Sequence, residues 1–331
     1  MRKEETIMEK RRLGLTDMYV SPVGLGCMGF SHAYGAAQDK DEAVRILKEA
    51  HRLGYNFYDT AECYTGVCED GSISYNEELV GEAVKDFRDE VIIATKFGVK
   101  HHGDHLEMDS SPTAIRQALE GSLKRLQVDC IDLYYQHRID PQVEPEVVAG
   151  IMKELIQEGK IKAWGISEVN EEYLRRAHAV CPVTAIQNRY SMMARWHEFL
   201  FPVCEELHIS YVAFSPLANG ILSGQYTNTT TFAKGDFRND MPQYSQEGYH
   251  KAEQLLSKLK QIAQDKDASM TQISLAWMLN KKDYIIPIPG SRKLSRLQEN
   301  FESSKILLSQ DEIKDIDALL DQMDFDVFGG H

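Results

Sequence analysis

The chain has no apolar run approaching the roughly 18–20 residues that cross a bilayer. Its first residues, MRKEETIMEKRR, lack the apolar centre of an export signal. Both absences point to a cytoplasmic protein with no membrane partner. Cations are in the minority, with 51 Asp and Glu against 37 Lys and Arg and a formal net charge of −14. That balance argues against nucleic acid or an anionic surface as a partner. Cysteine is sparse, six residues with no CxxC pair, and a chain of this length needs no disulfide staples. Cys63 and Cys68 are neighbours in sequence, but no second ligand pair accompanies them, so no metal site is expected. Internal repeats and low-complexity linkers are also missing, and residues 1–331 read as one domain.

What is present is alternation. Short apolar runs at Val23–Gly26, Asn56–Asp59, Val91–Thr95, Ile131–Tyr135, Lys162–Ile166, Thr184–Gln187, Tyr211–Phe214 and Tyr284–Ile288 read as strands. The last is the weakest, because Pro287 removes a ladder donor. Amphipathic helical patterns lie between them. Asp41–Leu53 puts Ala43, Ile46, Leu47 and Ala50 on one face before Gly54, and Ser111-Pro112 reads as a cap and first helical position. Val147–Gln157 carries one apolar stripe and stops near Gly159. Eight strand–helix units favour a closed parallel (β/α)₈ barrel of the α/β class over an open sheet. Two stretches, Gly98–Ser111 and Gly224–Gly248, read as irregular loops of the kind that carry function. His101, His102 and His105 in the first read as solvated loop histidines rather than a metal site.

Gly24, Gly26 and Gly29 spell GxGxxG, and Asp59 closes the following strand. The open-sheet dinucleotide fingerprint needs a helix to begin at once, so that its N-terminus meets the pyrophosphate. Here SHAYGAAQDK intervenes before the helical pattern. The glycines are better read as letting the first strand's exit approach a ligand closely. A second phosphate signal stands in IPIPGSRKLSRLQEN, where Arg292, Lys293 and Arg296 gather after the last strand of an otherwise acidic chain. Guanidinium forks and a helix start both suit a phosphate. A solvated helix face is the plainer alternative.

Polar residues also fall at or just beyond successive strand ends: Asp59, Tyr64 in AECY, Lys96 in VIIATKFG and His137 in DLYYQHR. In a parallel barrel these positions share one rim. Each has a structural alternative: a cap, an ion pair, ring packing or a buried imidazole. Together they can protonate an oxygen. A free tyrosine titrates near ~10, and a Lys96 cation beside Tyr64 is expected to lower that value. Asp59 would keep the ammonium charged, and His137 would orient a carbonyl. No side chain supplies hydride, so a nicotinamide or flavin must.

GYNFYDTAECY, ATKFG, DLYYQH, GISE, IQNRYS, FSPLANGILSG and IPGSRKLSRLQEN, in this order, resemble the motifs of the aldo-keto reductase superfamily over nearly the whole chain. The opening GCMGFSHAYG is more similar to bacterial and plant members than to mammalian aldose reductases. The resemblance implies an NADPH-binding barrel that reduces small aldehydes or ketones by direct hydride transfer. Tyr64 would be the general acid, assisted by Asp59, Lys96 and His137. Ser167 and Gln187 match residues that hold the nicotinamide carboxamide, and Phe214 stands where an aromatic ring stacks on nicotinamide. Ser215 and Leu217 would follow the pyrophosphate. Ser291, Arg292 and Arg296 match the 2′-phosphate pocket, Glu299 and Asn300 the adenine contacts, and the Gly26–Gly29 exit, with Met28, the floor beneath the cofactor. Glu168 stands where the family often has Asn, and Phe214 lacks the hydroxyl of a common tyrosine. Gly290 replaces a lysine of some branches, which transfers phosphate recognition to the arginines. The substrate pocket would draw on Tyr34, the Gly98–Ser111 loop, Trp196 and the tail near Phe328. Two other readings use the same residues: a Schiff-base aldolase on Lys96, and an NADPH-holding redox sensor resembling potassium-channel β subunits. Neither the particular substrate nor the oligomeric state can be read from the residues.

Overall fold

The computed structural model describes residues 9–102 and 105–328. Eight parallel strands form one sheet in chain order: β1 (Leu25–Gly26), β2 (Phe57–Asp59), β3 (Ile92–Phe97), β4 (Ile131–Gln136), β5 (Ile161–Ser167), β6 (Ala185–Arg189), β7 (Ser210–Phe214) and β8 (Ile285–Pro287). The end of the sheet returns to its beginning. The Gly24 N–H donates to Pro287 O at 2.9 Å and the Gly26 N–H to Pro289 O at 3.4 Å. These bonds close a (β/α)₈ barrel. Pro287 contributes its carbonyl at this seam, so the proline that weakened the sequence reading of β8 loses only a donor. Among the described residues no helix is long and apolar enough to cross a membrane.

Gly24 and Gly26, the first two glycines of GxGxxG, belong to the seam. A Cβ on Gly26 would stand 2.6 Å from Ile288 O, and one on Gly290 would stand 2.4 Å from Gly26 O. Only glycine lets the first and last strand exits approach so closely. Barrel closure therefore supplies a structural reason for Gly26 and Gly290, beside the expected approach to a ligand.

Period-two alternation sorts each strand into two faces. Phe57, Ala94, Leu133, Tyr135, Ala163, Ala185, Val212, Ile286 and Ile288 fill the barrel, together with Leu13 and Val20 from the N-terminal hairpin. Tyr58, Ile93, Tyr134, Trp164, Ile186 and Tyr211 face the helices. Leu13 and Val20 close the bottom of the barrel, and the strand C-terminal ends open at the opposite rim.

The helices follow their sequence signals with shifted starts. Helix α1 (Lys40–Arg52) is capped by Asp39, one turn position earlier than the apolar pattern suggests. Helix α3 (Pro112–Leu126) takes its cap from Ser111, as read. Helix α4 begins at Pro145, since proline at the first turn costs no hydrogen bond. The Gly98–Ser111 stretch is not irregular. Val99–His102 pairs with His105–Met108 as an antiparallel hairpin, because alternating residues on both arms satisfy each other's backbone groups. The side chains of His101, His102 and His105 lie outside the described residues. The Gly224–Gly248 stretch is held without regular strands, through short turns at Phe237–Asp240 and Pro242–Tyr244. Its anchor is Arg238, which pairs with Asp236 at 2.6 Å, donates to Tyr226 OH at 2.8 Å and covers the Phe232 ring at 4.2 Å.

Candidate active site

At the open rim, Lys96 is fully buried and spends all three ammonium hydrogens. It donates to Asp59 Oδ1 at 2.6 Å, Thr60 O at 2.7 Å and Tyr64 OH at 3.4 Å. The reason is strand register. Lys96 follows Ala94 by two residues on the inward face of β3, and Asp59 follows Phe57 on β2. Both side chains therefore stand directly above the apolar filling. Gln187, two residues past Ala185 on β6, donates Nε2 to the other Asp59 oxygen at 2.7 Å. A carboxylate accepting from an ammonium and an amide is satisfied although buried.

Tyr64 lies on the loop after β2 and is held by backbone. Its carbonyl accepts from the Asn76 N–H and from Ser31 Oγ, both at 3.0 Å. Asn76 is buried at the start of α2 (Asn76–Val84). It ties this loop to the first barrel exit through Thr60 Oγ1, Cys27 O and Ser31 Oγ. The His137 ring meets the Tyr64 ring edge-on at 5.7 Å, and His32 lies nearly parallel to it at 5.9 Å. Cys63 Sγ is 3.5 Å from His137 Nδ1. The four sequence-read residues Asp59, Tyr64, Lys96 and His137 thus meet at one place. No sequence signal marks Asn76, Thr60 or His32, and Cys63 stands out in sequence only as a metal-ligand candidate lacking a second pair. Thr60 acts through its carbonyl, and no residue-type signal marks such a role.

The electrostatics correct one expectation. Burial pushes the Tyr64 phenol up to about 12; Lys96 opposes that rise and Asp59 adds to it. The nearby ammonium limits the increase without reversing it, because removal from water outweighs a neighbouring cation already neutralised by Asp59. Burial alone would pull Lys96 down, but Asp59 and Tyr64 hold its ammonium above the ordinary lysine value.

The residues assigned to cofactor contacts form an arc along the β5–β8 rim. Ser167 Oγ donates to Gln187 O at 2.9 Å and accepts from Arg138 at 3.2 Å. Glu168 has φ of 53°, in the left-handed region that asparagine tolerates best. This accounts for the asparagine common at that position. Its side chain instead accepts the Arg189 N–H at 2.9 Å. After Phe214 the backbone enters a left-handed turn, with positive φ at Ser215, Ala218 and Asn219. Arg292 donates to Gly29 O and to Ala36 O, and its buried Nη2 has no partner. Arg296 is paired with Glu299, so these two assigned contacts engage each other. Asn300 lies on the buried face of the helix Leu294–Glu302, whose start no side chain caps. Trp196 packs against the outer core. Tyr34 bridges to Asp236, and Phe328 meets Phe237 at 5.9 Å, so both stand at the mouth. Among the described residues no group of three His, Cys, Asp or Glu could hold a metal.

The Aldo/keto reductase family model matches residues 22–321. The aldo-keto reductase str7 of Strobilurus tenacellus is 36% identical over 314 residues, covering 92% of this chain and 90% of that protein. The glycerol dehydrogenase AKR11B4 from Gluconobacter oxydans superposes with a TM-score of 0.83 at 27% identity, covering 95% of this chain and 96% of the other. An aldo/keto reductase from Klebsiella pneumoniae, solved in complex with NADP and acetate, superposes with a TM-score of 0.71 at 25% identity, covering 97% and 99%. Barrel topology and sequence likeness coincide, and the chain belongs to the aldo/keto reductase family.

Proposed function

We propose that the protein reduces aldehydes or ketones to alcohols with NADPH, and that Tyr64 delivers the proton. The observation that carries this reading is the saturated Lys96 ammonium, bonded to Asp59, Thr60 O and the Tyr64 hydroxyl. An ammonium can only donate, so it occupies a lone pair of the phenol oxygen and leaves the phenolic hydrogen free for a substrate oxygen. His137, edge-on to that ring, supplies the second contact that orients the carbonyl. NADPH, when bound, supplies the hydride. As the carbonyl oxygen gains alkoxide character it becomes a stronger base than a phenolate. A tyrosine near 12 therefore still gives up its proton, and it stays protonated at every physiological pH.

Four observations support the cofactor. The Klebsiella pneumoniae relative is solved with NADP. The exit of β7 keeps Ser215, Ala218 and Asn219 left-handed, a cost of about 1–3 kcal/mol each that surrounding structure must sustain. A turn of this kind presents backbone N–H groups to a pyrophosphate in the Ser215–Leu217 stretch. The unpartnered Nη2 of Arg292 supplies a donor for the 2′-phosphate, beside Ser291 and Arg296. Gln187, having used Nε2 on Asp59, offers Oε1 to the carboxamide nitrogen next to Ser167.

The aldolase alternative needs a neutral Lys96, and three acceptors around a raised ammonium oppose it. Tyr64→Phe tests the main reading. It should keep NADPH binding, measured by fluorescence titration, while turnover of a reactive aldehyde falls by about 10²–10⁴-fold. Full turnover in that variant would remove Tyr64 from the role.

A further inference from the structure

Arg189 is a charged side chain the proposed chemistry does not use. It ends β6, two residues beyond Gln187 on the same inward face. Gln187 reaches Asp59, so Arg189 stands one strand repeat above the reacting centre, ~7 Å toward the mouth. The residue is 8% exposed, and its buried Nε has no hydrogen-bond partner. Burial lowers its pKa, with no side-chain hydrogen bond opposing the shift and Glu168 acting only through its charge. Glu168 Oε1 accepts the Arg189 backbone N–H and not its guanidinium. The guanidinium lies over the Phe214 ring at 4.9 Å and near the Phe328 ring at 5.9 Å. Arg138 adds a second positive charge that bears on both Arg189 and Tyr64.

A desolvated cation that no carboxylate hydrogen-bonds is costly, and a chain with net charge −14 has carboxylates to spare for it. Aromatic rings against the faces of a guanidinium leave its N–H edge, and that edge is the fork that fits a carboxylate. Resting on the reductase reading above, we propose that Arg189 recognises a carboxylate on the substrate. The substrate class is then carbonyl compounds bearing a remote acid group, such as aromatic aldehyde acids and medium-length semialdehydes. Arg189 sets specificity and takes no part in proton transfer. A nicotinamide stacked on Phe214 would have to use the ring face opposite the guanidinium.

The experiment compares 4-carboxybenzaldehyde with 4-methylbenzaldehyde, equal in size and different in charge, with NADPH on the full chain. The readout is the ratio of their kcat/KM values in the natural protein, in Arg189→Met and in Arg189→Lys. The natural protein should favour the acid, mainly through KM. Arg189→Met should lower the ratio about 10- to 100-fold, with Arg189→Lys between the two. Calorimetric titration with benzoate and benzamide provides a measure without turnover, and benzoate binding alone should weaken in Arg189→Met. A ratio near one, or a ratio unmoved by Arg189→Met while both aldehydes are reduced, overturns this inference and leaves the reductase reading standing. Failure to reduce either aldehyde, with benzoate bound no better than benzamide, removes both.

Discussion

Replacing Lys96 by Met probes the site most directly, because the structure separates its effect on stability from its effect on chemistry. The ammonium satisfies Asp59 Oδ1 at 2.6 Å, and the second oxygen keeps only the Gln187 amide at 2.7 Å. In Lys96→Met a buried carboxylate is left with one neutral donor, and breaking a buried pair in this way costs about 3–5 kcal/mol. The carboxyl group can escape that cost by taking up a proton. Burial already raises its pKa against the pull of Lys96, and loss of the cation raises it further. A group with a raised folded pKa contributes most at low pH and loses that contribution as pH rises through the folded value. The deficit of Lys96→Met should therefore be large at pH 8 and narrow toward pH 5. Adding Asp59→Asn removes the stranded charge, so the double variant should recover most of the stability at pH 8. Turnover should not recover, because the phenol has lost the cation that restrains its pKa. Urea denaturation at both pH values, with NADPH oxidation measured on the same samples, gives the two readouts. A double variant no more stable than the single one at pH 8, or a Lys96→Met protein with full turnover, would refute the reasoning.

Two further outcomes follow from single side chains. Arg292→Met should raise the KM for NADPH by about 10- to 100-fold and change that for NADH far less, since a charged hydrogen bond of about 1.5–3 kcal/mol is lost only where a 2′-phosphate exists; equal losses in steady-state assays with both cofactors would count against the phosphate assignment. Burial lifts Glu62 to about 7, only partly offset by the Gly98 N–H it accepts. Its folded pKa lies above its ordinary value, so the native state loses stability as pH rises from about 4.5 to 7. Glu62→Gln should be more stable than the natural chain at pH 8.5, by up to about 3 kcal/mol, and equal to it at pH 4; thermal melts at the two pH values test this.

Local pattern was enough to place the eight strands within a few residues, since period-two alternation and strand–helix spacing depend on neighbours along the chain. The same alternation forecasts the site: Asp59, Lys96 and Gln187 each lie two residues beyond a barrel-filling residue on the inward face. The residues themselves, with the resemblance they carry, thus determined the barrel and the family, and they marked Asp59, Tyr64, Lys96 and His137, which the fold brings together. Tertiary structure decided what depends on distance. Gly24 and Gly26 lie at a seam because β8 returns to β1, and no local rule says which strand closes a sheet. The Gly98–Ser111 stretch is a hairpin because its two arms meet each other. The phenol is pushed up because the loss of water around Tyr64 exceeds the attraction of a cation whose charge Asp59 already balances. Burial and charge compensation are properties of a three-dimensional neighbourhood, and they cannot be read from the order of residues along the chain.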